Sequence, residues 1–336
     1  MTPTTAAAAV RDRTADTPGG SPGRRDELIV RSRREVAAGV IELTLERPDA
    51  SRLPDWSPGA HIDLILPSGT TRQYSLCGDR WDAHTYRIAV QREESGTGGS
   101  LEVHEAAREG SRVRFGGPRN NFRLAPASAY RFIAGGIGIT AIAPMIDQAE
   151  RMGIPWRLLY LGREPQRLAY RELAAHHPDR VRIHTTDCGH RASIRTWLGD
   201  ADAATMVYAC GPQSLLTALP LECSVVAPAR IRTEAFDNEA LAASPVTTDP
   251  YDIVLAHTGR TVRAGGQQSV AEALETAGVS LITSCSRGVC GTCEVSVLDG
   301  EIDHRDTIID DAERAAGTCM FPCVSRAAGA RLVLDL

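Results

Sequence analysis

The hydrophobic rhythm of this chain changes twice after residue 26. From 27 to 129, apolar residues fall in short runs: ELIVRSRREV, VIELTLERP, HIDLILP, TRQYSL, YRIAVQRE and SRVRFGG. Such runs, punctuated by Pro and Gly, predict strands joined by turns: an all-β barrel with one helical patch after Gly99. From 130 to 236, strand-like runs alternate with helical stretches. The order is YRFIAGG, a helix from Thr140, WRLLYLG, a helix near Gln166, RVRIHTT, TMVYACG and a helix after Pro212. That alternation predicts a parallel α/β sheet. Residues 237–250 (DNEALAASPVTTDP) hold two prolines and few large apolar side chains, and read as a linker. Over 251–336, a hairpin, a helix across 269–277, a cysteine-rich loop and a closing RLVLDL strand predict a small α+β unit. Residues 1–26 have no periodicity and read as a disordered tail.

Composition narrows the classes. A hydrophobic fraction of 43% over 336 residues supplies a core for two or three domains, and a net charge of −5 leaves no footprint for nucleic acid. Nine cysteines without a signal peptide do not form a secreted disulfide framework. No apolar run approaches the length of a membrane span. The expectation is a cytoplasmic monomer, in a reducing compartment that suits exposed thiolates.

Four of those cysteines form a pattern: Cys285, Cys290, Cys293 and Cys323, spaced C-x4-C-x2-C-x29-C. This is the plant-type [2Fe–2S] ligation pattern, three thiolates on one loop and a fourth returning from afar. Gly288 and Gly291 suit a loop that wraps a cluster, because glycine takes positive φ and lets backbone N–H groups approach sulfur. The alternative is a zinc site or scattered structural thiols. Zinc pairs come in two matched halves, and the sequence has no second half.

GGIGIT (Gly135, Gly136, Gly138, Thr140) follows a strand and opens a helix, where an anionic pyrophosphate is favoured. Alone, such a turn can be purely structural. ACGPQSL, beginning near Cys210, ends a later strand, so both loops can face one crevice at the strands' carboxyl ends. In the β-rich part, RQYSL puts Arg72 and Tyr74 on one face of a strand beside Ser75, a cation and an aromatic for a phosphate and a flat ring. Gly98, Gly99 and Ser100 stand at a helix start, a second anion site. By themselves these residues are better read as an ordinary edge strand and a flexible loop.

The order RxYS, GGS, GGIGIT, CGP, E-x-F (Glu234, Phe236) and the four cysteines resembles the phthalate dioxygenase reductase-like flavoproteins, which include vanillate demethylase reductases. PGAHIDL, GPRNNFRL and LDGEIDHRD extend the resemblance over almost all of 27–336. It implies a flavin-binding β-barrel, an NAD-binding α/β domain and a C-terminal ferredoxin domain, with FMN as flavin and NADH as donor. It also implies that Arg72, Tyr74 and Ser75 hold the flavin, and that Gly98, Gly99 and Ser100 bind its phosphate region. Gly136, Gly138 and Thr140 would meet the nicotinamide ribose and pyrophosphate. Cys210, beside the nicotinamide, and Phe236, near the isoalloxazine, are the candidate catalytic residues. Buried structural roles are expected for His61 and Asn121.

The implied activity is an NADH-dependent reductase that sends electrons through the flavin to the cluster and on to a separate oxygenase. No Rieske Cys–His pairs or mononuclear iron motif occur in this chain to make it the oxygenase itself. A Rieske oxygenase is the expected acceptor and a cytochrome P450 the alternative. An iron–sulfur redox sensor or binding module is the reading from another class. Family members often carry a cysteine directly after the fourth ligand, where this chain has Val324. Cys319 is the rival to Cys323 as that ligand, and Cys77, Cys188 and Cys223 read as packed thiols. After the second α/β strand, Glu164 suits a ribose 2′-hydroxyl, whereas Arg163 and Arg167 suit a 2′-phosphate.

Overall fold

The computed structural model describes residues 27–94, 98–189, 192–199, 201–202, 204–223, 230–236, 245–283, 288, 291–309 and 311–336. The expected tail, most of the expected linker, and Cys285 and Cys290 lie outside the described residues.

Six strands form the first sheet: β1 (Glu27–Ala37), β2 (Val40–Glu46), β3 (His61–Ile65), β4 (Thr71–Ser75), β5 (Thr85–Gln91) and β6 (Arg112–Arg119). Their order is β4-β3-β6-β1-β2-β5, all antiparallel where paired. The Leu76↔Ile88 bridge joins the two outer strands and closes the sheet into the expected barrel. Closure leaves no exposed edge, and period-two alternation sends Leu28, Val30, Leu43, Leu45, Ile88 and Val90 inward. Helix α1 (Gly99–Ala106) lies between β5 and β6 and plugs Val103 into that core.

The second sheet is wholly parallel: β7 (Ala129–Gly135), β8 (Trp156–Gly162), β9 (Val181–Thr185), β10 (Thr205–Gly211) and β11 (Ile231–Ala235). Its order, β11-β10-β7-β8-β9, makes the chain leave β7 in one direction and return on its other side. The switch point therefore lies between β7 and β10, where ligands of open α/β sheets bind. Helices α2 (Ile139–Arg151), α3 (Glu172–His176), α4 (Ile194–Leu198) and α5 (Gln213–Glu222) are the connections. Where sequence predicts a helix near Gln166 there is only a 3-10 turn, Pro165–Arg167, followed by short α3. Pro165 favours the start of a helical turn but the segment turns back at Leu168 to bury that side chain.

The third unit carries β12 (Tyr251–Leu255), β13 (Thr261–Ala264), β14 (Val295–Asp299), β15 (Ile302–Asp303), β16 (Cys319–Met320), β17 (Arg326–Ala327) and β18 (Arg331–Leu334). Strands β12 and β13 make the expected hairpin, β18 is the closing strand, and β15 pairs with β17 apart from the main sheet. Helix α6 (Val270–Thr276) begins in a capping box. The Ser269 side chain accepts from Glu272 N–H, and Glu272 accepts from Ser269 N–H, satisfying two donors that the helix leaves open. Short α7 (Asp311–Ala316) precedes β16.

Candidate functional site

Strand β4 and the start of α1 meet at Gly99. A Cβ built there would collide with Arg72 Nε and lie 2.8 Å from Arg72 Cγ, so only glycine lets the arginine lie across this turn. Gly98, at φ 85°, turns the chain into the helix, and as the N-cap residue it brings no side chain to the first N–H groups. An arginine beside a helix N-terminus fits an anionic phosphate. Tyr74 is half-buried against the barrel core, Ser75 is buried at the end of β4, and the Ser100 hydroxyl accepts from Glu93 N–H at 3.1 Å. The structure thus brings Arg72 onto Gly99 beside Gly98, while Ser100 turns to Glu93 and Tyr74 and Ser75 lie further along β4.

At the switch point, the two glycine loops touch backbone to backbone. A Cβ on Gly211 would stand 2.9 Å from Gly135 Cα, and one on Gly138 would strike the Cys210 carbonyl. Helix α2 can start this close to β10 only because Gly138 has no side chain. Gly136, at φ 55°, turns the chain between them, and Gln91 Oε1 at the end of β5 reaches within 3.9 Å of where its Cβ would be. Sequence reasoning missed Gln91, which belongs to no motif. Thr140 is buried, and its hydroxyl donates to the Ile137 carbonyl at 2.9 Å.

Cys210 lies opposite Glu234 in the β10–β11 register, and its thiol is 3.9 Å from Glu234 Oε2. Burial raises Glu234 to about 8 and pushes Cys210 well above its ordinary range. Both groups are therefore neutral near pH 7. Phe236 follows β11 and is half-buried against the α/β core. Beyond β8, Glu164 accepts from Gln166 Nε2 at 2.7 Å, while Arg163 and Arg167 are exposed.

In the third unit, Cys293 is buried and Cys323 half-buried. Gly288, at φ 66°, presses the cysteine loop onto the segment that carries Cys323: a Cβ on Gly288 would stand 2.5 Å from Val324 Cγ2 and 2.9 Å from Asp306 Cα. Thr307 N–H donates to the Gly288 carbonyl at 3.0 Å. Asp306 is buried and accepts from the N–H groups of Ile308 and Ile309, and Arg314 stands 3.5 Å away. These contacts set Val324, and so Cys323, against the loop of the other candidate ligands. Cys319 instead sits in β16, paired with Ser296 of β14. Thiolate ligands from a loop and its facing segment fit the plant-type pattern. Cys77 is raised to about 12 and Cys223 to about 11, both by burial, as packed thiols are. The Cys188 side chain lies outside what is described.

Two residues expected to be buried behave differently. His61 is buried in β3, but Asn121 is exposed. The structural role falls on its neighbour. Asn120 Nδ2 donates to Ser57 O, Ser57 Oγ and Pro58 O at 3.2, 2.7 and 2.9 Å, and its Oδ1 accepts from Phe122 N–H. Two successive asparagines on an irregular segment are not distinguishable from sequence, because no periodicity says which one faces in.

Residues 253–328 match the 2Fe-2S iron-sulfur cluster binding domain. The carnitine monooxygenase reductase subunit of Escherichia coli (strain K12) is 35% identical over 317 residues, covering 92% of this chain and 98% of that protein. An intact type IV self-sufficient cytochrome P450 monooxygenase superposes with a TM-score of 0.81 at 37% identity. It covers 93% of this chain, which spans 41% of that longer protein. Phthalate dioxygenase reductase, a modular structure for electron transfer from pyridine nucleotides to [2Fe-2S], superposes with a TM-score of 0.71 at 33% identity, covering 92% of this chain and 97% of that one. Barrel, parallel sheet and cluster unit all fall inside those alignments, and this chain belongs to the phthalate dioxygenase reductase-like family of iron–sulfur flavoprotein reductases.

Proposed function

We propose that this chain takes electrons from NADH through FMN to a [2Fe–2S] cluster and delivers them to a separate oxygenase. The observation that supports this reading is the approach of the three units to one another: Gln91 of the barrel lies 3.9 Å from where a Cβ on Gly136 of the nucleotide crevice would stand, and Asn121 Nδ2 lies 3.2 Å from where one on Gly291 of the cysteine loop would. A flavin supplies the conversion of a two-electron hydride into single electrons, which a [2Fe–2S] cluster requires. The chain's own residues supply orientation. Arg72 and the α1 N-terminus hold the flavin phosphate, with Tyr74 and Ser75 alongside. Gly136, Gly138 and the turn held by Thr140 let a dinucleotide lie close to the backbone. Cys210, wholly buried, and Glu234 keep the floor of the crevice uncharged, and Phe236 stands at its rim. Cys285, Cys290, Cys293 and Cys323 ligate the cluster.

A Rieske oxygenase is the proposed acceptor, a reading supported by the match to a monooxygenase reductase subunit over nearly the whole length of both chains. The likeness to a self-sufficient P450, in which a similar region is part of a longer chain, supports a P450 as the second reading. No described helix is long and apolar enough to cross a membrane, and a cytoplasmic monomer is proposed.

Acid extraction of the purified protein tests the flavin: FMN is expected, and recovery of FAD refutes that assignment while leaving the electron path intact. NADH is the proposed donor, with Glu164 receiving the ribose. A higher kcat/KM for NADPH would transfer the role to Arg163 or Arg167.

A further inference from the structure

We infer that Asn121 is a positioning residue for the step between flavin and cluster, within the electron path proposed above. Four consecutive residues of the 119–122 segment meet different parts of the molecule. Arg119 pairs with Asp63 of β3 in the barrel wall. Asn120 is tied to the Ser57–Pro58 turn of the barrel through the three donations described above. Phe122 is buried in the α/β core, its ring 5.4 Å from Tyr208 in an edge-on contact. Its carbonyl packs so tightly on Gly59, at φ 90°, that a Cβ there would overlap it. Between these anchors Asn121 projects outward, and its Nδ2 would stand 3.2 Å from a Cβ on Gly291. Gly291 is the residue after Cys290 and two before Cys293, and its φ of 73° presents bare backbone to the amide.

A segment anchored on both sides, with the Asn121 amide beside Gly291, is placed to fix where the cysteine loop stands against the barrel. Asn120 and Phe122 anchor the segment on either side of Asn121. The inference is therefore that Asn121 holds the third unit in register with the flavin barrel, while the pairing of flavin and nicotinamide rests on other residues.

The test is Asn121→Ala in the full-length holoprotein, read in two ways. Backbone hydrogen exchange at Gly291 and Thr292 is expected to speed up, which needs no turnover. Rapid anaerobic mixing with NADH is expected to bleach the flavin at the parent rate, while the bleaching of the cluster bands that follows slows by about tenfold or more. Cluster content and the parent visible spectrum of the oxidised cluster are expected to survive. Unchanged exchange, unchanged cluster bleaching or loss of the cluster on purification would each overturn the inference. Absence of bound flavin would instead refute the electron path, and exchange at Gly291 would still decide the contact.

Discussion

The barrel is joined to the α/β sheet and to the cluster unit in two different ways. Toward the α/β sheet it shares a core: Val40 and Ala89 of the barrel belong to one buried cluster with Phe132, Ile139, Ile142 and Met145. A polar node reinforces this boundary. The Tyr170 hydroxyl donates to the buried Glu42 carboxylate at 2.8 Å and lies 3.3 Å from Cys77 Sγ, while Arg34 bonds the same carboxylate at 3.0 Å. Ala38 N–H donates to the Gln166 carbonyl across the same boundary. The cluster unit, in contrast, keeps a core of its own, built from Tyr251, Ile253, Leu274, Leu332 and Leu334 among others. Hydride transfer tolerates little misplacement, so a shared, close-packed core suits the flavin–nicotinamide pair. Transfer of a single electron needs proximity without such alignment, and separate cores that approach each other at Asn121 and Gly291 suit it.

Four substitutions sharpen that contrast. The largest effect is expected from Cys290→Ser, which should abolish the cluster and with it reduction of a one-electron protein acceptor, while flavin reduction by NADH stays fast. Equal loss of both activities would show that the third unit is not independent. Cys319→Ser should leave the cluster spectrum intact.

Tyr170→Phe acts on the other boundary. It removes a donor from a buried carboxylate, a change that costs about 1–3 kcal/mol. The denaturation transition of the barrel and α/β sheet should move to lower denaturant, while the cluster bands are lost at the parent concentration. A common shift of both signals would contradict separate cores.

The smallest effect concerns Glu234. Burial raises its carboxyl from 4.5 to about 8, so the folded protein holds a proton that the unfolded chain releases. The stability contributed by the neutral form is complete below about 4.5 and is lost as pH rises through about 8. Glu234→Gln should flatten this dependence, so that its melting temperature falls less than the parent's between pH 6 and pH 9. Parallel profiles for the two proteins would refute it.

What the sequence determined by itself is what local chemistry dictates. Alternation in β2 and β5, the strand–helix alternation from β7 onward, and the cysteine spacing each depend on neighbours a few residues away, and all three units were legible. The glycine motifs were legible for the same reason: Gly99 lies under the Arg72 side chain and Gly138 against the Cys210 backbone, and such close approach leaves a residue type behind. Tertiary structure alone decided the contacts between motifs. Gln91 approaches Gly136 and Asn121 approaches Gly291 because of how closed surfaces pack; Gln91 belongs to no motif, and GPRNNFRL does not say what Asn121 faces. The exchange of roles between Asn120 and Asn121 has the same cause. On an irregular segment, burial follows from what the rest of the chain brings alongside, and that information is not local.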